Sequence, residues 1–125
     1  MAYSRLGQVE TYVAGGSISK NTLLKFDSSD DAVVVATAAT DLIIGVALND
    51  AASGERVEVQ VSGIAEVKSA GAISRGAFVT ATTAGEAVAL AAAATIKTGI
   101  GRALKTAADD DIFPMLITHF QAVTA

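Results

Sequence analysis

His119 is the only histidine in this 125-residue chain. It stands in Leu116-Ile117-Thr118-His119-Phe120, near the end of a strand-like stretch, and alternation groups it with Ile117, so a half-buried position is expected. A lone histidine that binds a metal needs carboxylates for nearly every other ligand. The available clusters are Asp27-Ser28-Ser29-Asp30-Asp31 and Asp109-Asp110-Asp111. Neither has the alternating ligands, central glycine and distal glutamate of a calcium loop, so both read as solvated turns. No serine sits in a nucleophile-elbow pattern. Gly99-Ile100-Gly101 lacks the third glycine and the βαβ setting of a dinucleotide fingerprint. Lys68-Ser69-Ala70-Gly71 is the nearest approach to the modified-lysine hairpin of a lipoyl or biotinyl carrier, and it matches poorly. Cysteine is absent, which removes disulfides, thiol nucleophiles and thiolate metal sites. The residues that could do chemistry therefore point to no enzyme, no metal and no cofactor.

Composition leads the same way. The chain is 51% hydrophobic, yet it has no Trp, two Tyr and four Phe. Small and β-branched side chains suit thin, tightly packed sheets better than a deep aromatic ligand pocket. Net charge is −4 and the nine basic residues are scattered, so no stripe of them tracks a phosphate backbone and nucleic acid is not an expected partner. Ala87–Ala94 falls well short of the ~18 uninterrupted apolar residues that a membrane span needs. Met1–Gln8 lacks the basic start and apolar run of a signal peptide. Length predicts one domain, 1–125, large enough to own a core.

The elements that must position these residues are strands. Arg56-Val57-Glu58-Val59-Gln60-Val61-Ser62 alternates polar and valine, which reads as one wet face and one buried face. Val9–Val13, Leu23–Phe26, Val33–Thr37, Leu42–Leu48 and Ile64–Lys68 also read as strands. So do Phe78–Ala81, Ala87–Ala91, Gly99–Leu104 and Ile112–His119. Turn residues separate them, and short strands at this spacing predict an all-β barrel or sandwich with little helix. Glu86–Thr95 is alanine-rich and favours helix by propensity. Its counterpart Ala32–Thr40 holds three valines, so 87–91 is taken as strand, with one helical turn allowed at 92–97. A second short helix at Thr106–Asp110 is disfavoured because its counterpart, Asp50–Glu55, reads as a turn.

Those counterparts come from an internal repeat. Ile44-Gly45-Val46-Ala47-Leu48 returns as Ile100-Gly101-Arg102-Ala103-Leu104, and Lys20–Leu24 faces Arg75–Val79 with a one-residue slip. A unit present only twice is too few for a solenoid. Two pseudo-repeated β units, 18–68 and 74–119, are expected to close on each other. The repeat gives Gly45 and Gly101 a structural role, letting a strand pass a close neighbour or bend. Gly63 marks a bulge or bend between strands, and Gly54 and Gly76 mark turns.

Taken in order, several segments resemble the capsid cement, or head-decoration, proteins of tailed bacteriophages. They are Gly15-Gly16-Ser17-Ile18-Ser19-Lys20-Asn21, Ile44-Gly45-Val46-Ala47, Ser53-Gly54-Glu55-Arg56-Val57-Glu58-Val59 leading into Gly63, Ile73-Ser74-Arg75-Gly76-Ala77-Phe78-Val79, Gly85-Glu86-Ala87-Val88 and Ile100–Leu104. Asp109-Asp110-Asp111-Ile112-Phe113-Pro114 departs from the pattern, where a glycine-containing turn is more typical. The resemblance implies a non-enzymatic virion protein on the capsid exterior, made in the host cytoplasm. It also implies contact with the major capsid protein, stabilisation of the shell and a homotrimeric state. Residues 1–8 would then form an N-terminal arm, with Ala2, Tyr3, Ser4, Arg5 and Leu6 as capsid contacts. The competing expectation is another phage tail or surface β-module that binds a protein or a carbohydrate. Exposure of Tyr3, Tyr12 or Phe26 in one groove would favour it.

Overall fold

A computed structural model of the chain describes residues 5–39, 41–90 and 96–123. The described residues form strands and turns with no helix: β1 (Arg5–Leu6), β2 (Val9–Ala14), β3 (Leu23–Phe26), β4 (Ala32–Val35), β5 (Ile43–Ala47), β6 (Arg56–Gln60), β7 (Gly63–Lys68), β8 (Phe78–Ala81), β9 (Ala87–Ala89), β10 (Ile96–Ala103) and β11 (Ile112–Val123). The first unit is a closed barrel in the order β2-β4-β3-β5-β6, with β6 pairing back onto β2. The second is a sheet in the order β1-β7-β11-β10-β8-β9.

The two units repeat each other at a series of matched hydrogen bonds. Ile18 and Ala51 exchange backbone hydrogen bonds of 2.8 and 2.9 Å, and Ile73 and Ala107 exchange bonds of 2.9 Å. Leu48 N–H donates to Glu58 O at 2.9 Å, and Leu104 N–H to Pro114 O at 3.0 Å. Ala52 N–H donates to the Glu55 carboxylate at 2.7 Å, and Ala108 N–H to that of Asp111 at 2.9 Å. Left-handed turn positions also come in matched pairs. Asn21 (φ 70°) answers Gly76 (φ 89°), and Gly54 (φ 87°) answers Asp110 (φ 65°). Asp110 thus does the work of the missing glycine in the last turn, since Asn and Asp tolerate this conformation best among non-glycines.

The barrel interiors match as well. Leu24, Val33, Val57 and Val59 fill the first, and Val79, Ala87, Phe113 and Met115 fill the second at the corresponding places, all buried. Two positions shrink where two grow, so filled volume is kept as the shapes change. We expect Val59→Ala to cost about 1–3 kcal/mol through lost burial and a cavity, and exposed Glu58→Ala to stay within about 0.5 kcal/mol. Paired urea melts check this; equal costs would mean that both faces of β6 are covered.

What joins the units explains where the second differs from the first. The row Leu23–Val46–Gln60, in register across β3, β5 and β6, is fully buried. Leu23 and Val46, with Ala36 and Ile43, share one core cluster with Val67, Ala81, Ile100 and Ile117 of the second unit. The chain at Asn21–Leu23 enters the seam between β7 and β9: Lys68 N–H donates to Asn21 O (3.0 Å) and Leu23 N–H to Gly85 O (2.8 Å). In the first unit the corresponding seam is closed directly, Val13 N–H to Asp31 O at 2.8 Å. β7 and β9 meet only at the parallel bridge Ser69–Ala87, and so the second sheet stays open.

Several details differ from the sequence expectations. Alternation puts Gln60 on the wet face of β6, but its row is the one pressed on the second unit. Its amide donates to Ser62 O (2.9 Å) and Ile64 O (3.0 Å), bridging the bend at Gly63, where φ is +84°. β10 begins at Ile96 and β11 runs to Val123, both longer than expected. Ile96 and Lys97 are therefore strand, and positions 92–95 of the allowed helical turn lie outside the described residues. Thr106–Asp110 is a turn closed by the Ile73–Ala107 bridge. β1 was not expected at all.

Candidate interaction surface

The residues considered for chemistry do not converge. His119 is exposed rather than half-buried. The register between β10 and β11 slips between Gly99 and Gly101, and this bulge takes His119 out of phase with Ile117. Its Nε2 lies 2.8 Å from Ile44 O, so the ring ties β11 to the first unit. Among the described residues no group of three or more His, Asp or Glu could hold a metal ion. Lys68 is engaged by Glu86 at 3.3 Å and Asp110 at 3.8 Å, which puts it in an ion pair instead of on a free carrier hairpin.

One acidic group has a structural duty. Asp41 accepts hydrogen bonds from Thr37 N–H (2.8 Å) and Ala38 N–H (3.0 Å) and pairs with Lys25 Nζ (3.3 Å). The turn it holds offers Ala39 O to Thr98 N–H at 2.7 Å and Asp41 O to the Thr98 hydroxyl, both across the junction. Burial alone pushes its pKa up, but the Thr37 amide, then Lys25, then the Ala38 amide outweigh burial and hold it below the ordinary 3.8. A depressed folded pKa stabilises above the unfolded value and is lost as pH falls through the folded one. Asp41→Asn should therefore lower stability at pH 7, and the gap from the parent should close below pH 3.8 as Asp41 protonates in both states. Thermal melts at pH 7 and pH 3 check this; a gap unchanged with pH would discount the ion pair.

The surface also carries apolar residues. Among the described residues Val13, Phe26, Leu42, Phe78, Ile112 and Leu116 are the exposed large hydrophobics. Two groups emerge. At one end of the first barrel Phe26, 50% exposed, meets Tyr12 edge-on at 5.8 Å between ring centres. Phe26 also lines a shallow depression of about 220 Å³ with Asp27, Ser28, Ser29 and Asp30. On the second unit Phe78, Arg102 and Leu116 lie in register across β8, β10 and β11, with the Arg102 guanidinium 4.4 Å from the centre of the Phe78 ring. Tyr12 and Phe26 are the aromatics that the sequence offers for a binding groove; the Phe78 row is not singled out by any local pattern. The signal was the repeat itself, because the buried Leu23, Val46 and Gln60 are replaced by Phe78, Arg102 and Leu116.

The expected capsid contacts lie at the start of the chain. Arg5 and Leu6 pair with Ile64 and Gly63 at the edge of β7, so this part of the arm is laid on the protein's own sheet. Ala2, Tyr3 and Ser4 lie outside the described residues. The structural glycines fall at two kinds of place. Gly54, Gly63 and Gly76 have positive φ. A Cβ on Gly45 would stand 2.2 Å from Gln60 O, and one on Gly101 2.3 Å from Leu116 O.

Comparison with known proteins gives these surfaces a setting. Residues 5–115 match the model of a family described as phage cement protein. The fold is similar to the solved head fiber gp8.5 N base of bacteriophage phi29, with a TM-score of 0.71 and 22% identity, covering 89% of this chain and 93% of that one. No curated protein matches the sequence.

Proposed function

The chain belongs to the phage cement protein family, and from that premise we propose that it binds the outer face of a phage capsid and stabilises the shell without catalysis. Its partner in this reading is the major capsid protein, and it acts as a homotrimer made in the host cytoplasm. The single observation that carries the reading is the family match over nearly the whole chain. Two features support it. The lone histidine is spent on a structural contact, and several large apolar side chains, Phe26, Leu42 and Phe78 among them, are exposed. We also take the chain as one domain in which the repeat of 18–68 and 74–119 folds as a barrel (β2–β6) and a sheet that takes β7 together with β8–β11, because one core cluster draws side chains from both.

Energetics favours a multivalent clamp. A protomer with few aromatics offers few hot-spot anchors to a flat lattice. Joining three raises the effective concentration for the second and third contacts, so modest individual affinities suffice. The residues preceding β1 are proposed as the arm, which would add backbone pairing to an exposed strand edge of the shell. Co-sedimentation with expanded capsids from the same source tests this. The full-length protein should saturate the capsids. A chain lacking residues 1–4, which keeps β1, should melt normally and bind at least about tenfold more weakly. Unchanged affinity would remove the arm from the proposal; failure of the full-length protein to bind would remove the capsid reading itself.

A further inference from the structure

The contact between the two units is head-to-tail. One surface of the first unit, around Leu23 and Val46, covers a different surface of the second, around Val67 and Ala81. Two units of like construction joined in this way use each surface once and leave each over once. The uncovered counterpart of Val67 and Ala81 is the Tyr12–Phe26 end of the first barrel. The uncovered counterpart of the buried row Leu23–Val46–Gln60 is the row Phe78–Arg102–Leu116 on the second unit. Val67 is fully buried and Ala81 is 3% exposed, whereas Phe26 is 50% and Phe78 45% exposed.

We propose that a second copy of this chain docks there, the Phe78–Arg102–Leu116 row of one copy seated on the Tyr12–Phe26 end of the next. The proposal rests on the homo-oligomer reading above and names its surfaces. Two observations select a second copy over another partner. First, the contact continues one the chain already makes within itself, and both leftover surfaces carry a half-exposed aromatic ring, Phe26 and Phe78. Leu42, beside this end, is 66% exposed where its counterpart Thr98 is buried in the junction. Second, the charges of the two leftover surfaces are complementary. Arg102 replaces the buried Val46, and Asp27 and Asp30 line the depression at Phe26, with Asp31 next in the loop, where the second-unit loop reads Thr82-Thr83-Ala84-Gly85-Glu86. The contact differs in one respect. The seam that Asn21–Leu23 enters inside the chain is closed at this end by the Val13–Asp31 hydrogen bond, so the second copy meets a closed barrel and touches it through side chains. A contact between unlike surfaces closes into a ring or runs on as an open array, and a ring of three is the trimer proposed above.

The native chain has no cysteine, which makes a cross-linking test clean. Full-length Phe26→Cys and Phe78→Cys proteins are mixed and oxidised, free and on capsids, and the mass of each state is measured. The expected result is a mixed 26–78 link in preference to either self-link. Arg102→Glu should weaken association at least about tenfold, and Asp30→Arg in the same chain should recover much of it. Oligomers that persist with no 26–78 link and no response to Arg102→Glu would overturn these surfaces while the homo-oligomer reading stands. A monomer both in solution and on the capsid would overturn both.

Discussion

Phe113→Ala is expected to destabilise the protein by about 3–5 kcal/mol, the largest effect of any single core truncation. Phe113 is 2% exposed and is among the largest fully enclosed side chains. It pairs with Val67 across β7 and β11, so the barrel interior and the junction meet at this ring. The neighbours that shrank to admit it, Ala87 and Val79, cannot grow back to fill the space. The matched truncation in the first unit, Val57→Ala, removes less volume and should cost about 1–3 kcal/mol. Chemical denaturation of both variants checks the order; equal costs would mean that the second interior collapses around the hole. A combined Phe113→Val, Ala87→Val exchange, copying the first unit, should recover part of the loss.

Placing a side chain on Gly45 or Gly101 is expected to be nearly as damaging, at about 3 kcal/mol even for alanine. The atom met first is a backbone carbonyl oxygen in both cases, Gln60 O at 2.2 Å and Leu116 O at 2.3 Å. A carbonyl held in a sheet cannot rotate aside as a long side chain can, so the strands must separate. Gly71→Ala is the control, since its added carbon meets nothing within 4 Å and it should change stability by no more than about 0.5 kcal/mol. Melts of the three variants decide the matter; tolerance at Gly101 would show that β10 and β11 separate easily.

Much of this was legible in the sequence for a simple reason. A strand with one buried face writes its period of two directly into the residues, and Arg56–Val59 does so. The repeat transferred that reading to weaker segments. Ala87–Ala89 has helical composition, but it pairs with Val79–Ala81 just as Val33–Val35 pairs with Leu24–Phe26. What failed to show were effects of one unit on the other. Gln60 looks solvated because its burial comes from the junction, which no local pattern encodes. His119 looks half-buried until the bulge beside it is known. β1 is too short to carry a period, and its partner lies far along the chain. The exposed row at Phe78 was hidden because alternation says which face a residue takes, but not which faces remain uncovered.

The seam split by Asn21–Leu23 also bears on how the molecule is made. The first barrel closes through its own hydrogen bonds and can do so as soon as β6 has left the ribosome. The second sheet has no equivalent closure of its own, because residues of the first unit stand in its seam. Folding is then expected to take a direction, with the earlier half serving as the template on which the later half completes itself. A shortened chain ending near residue 61 keeps every strand of the closed barrel, while the complementary piece loses the segment that holds β7 and β9 together.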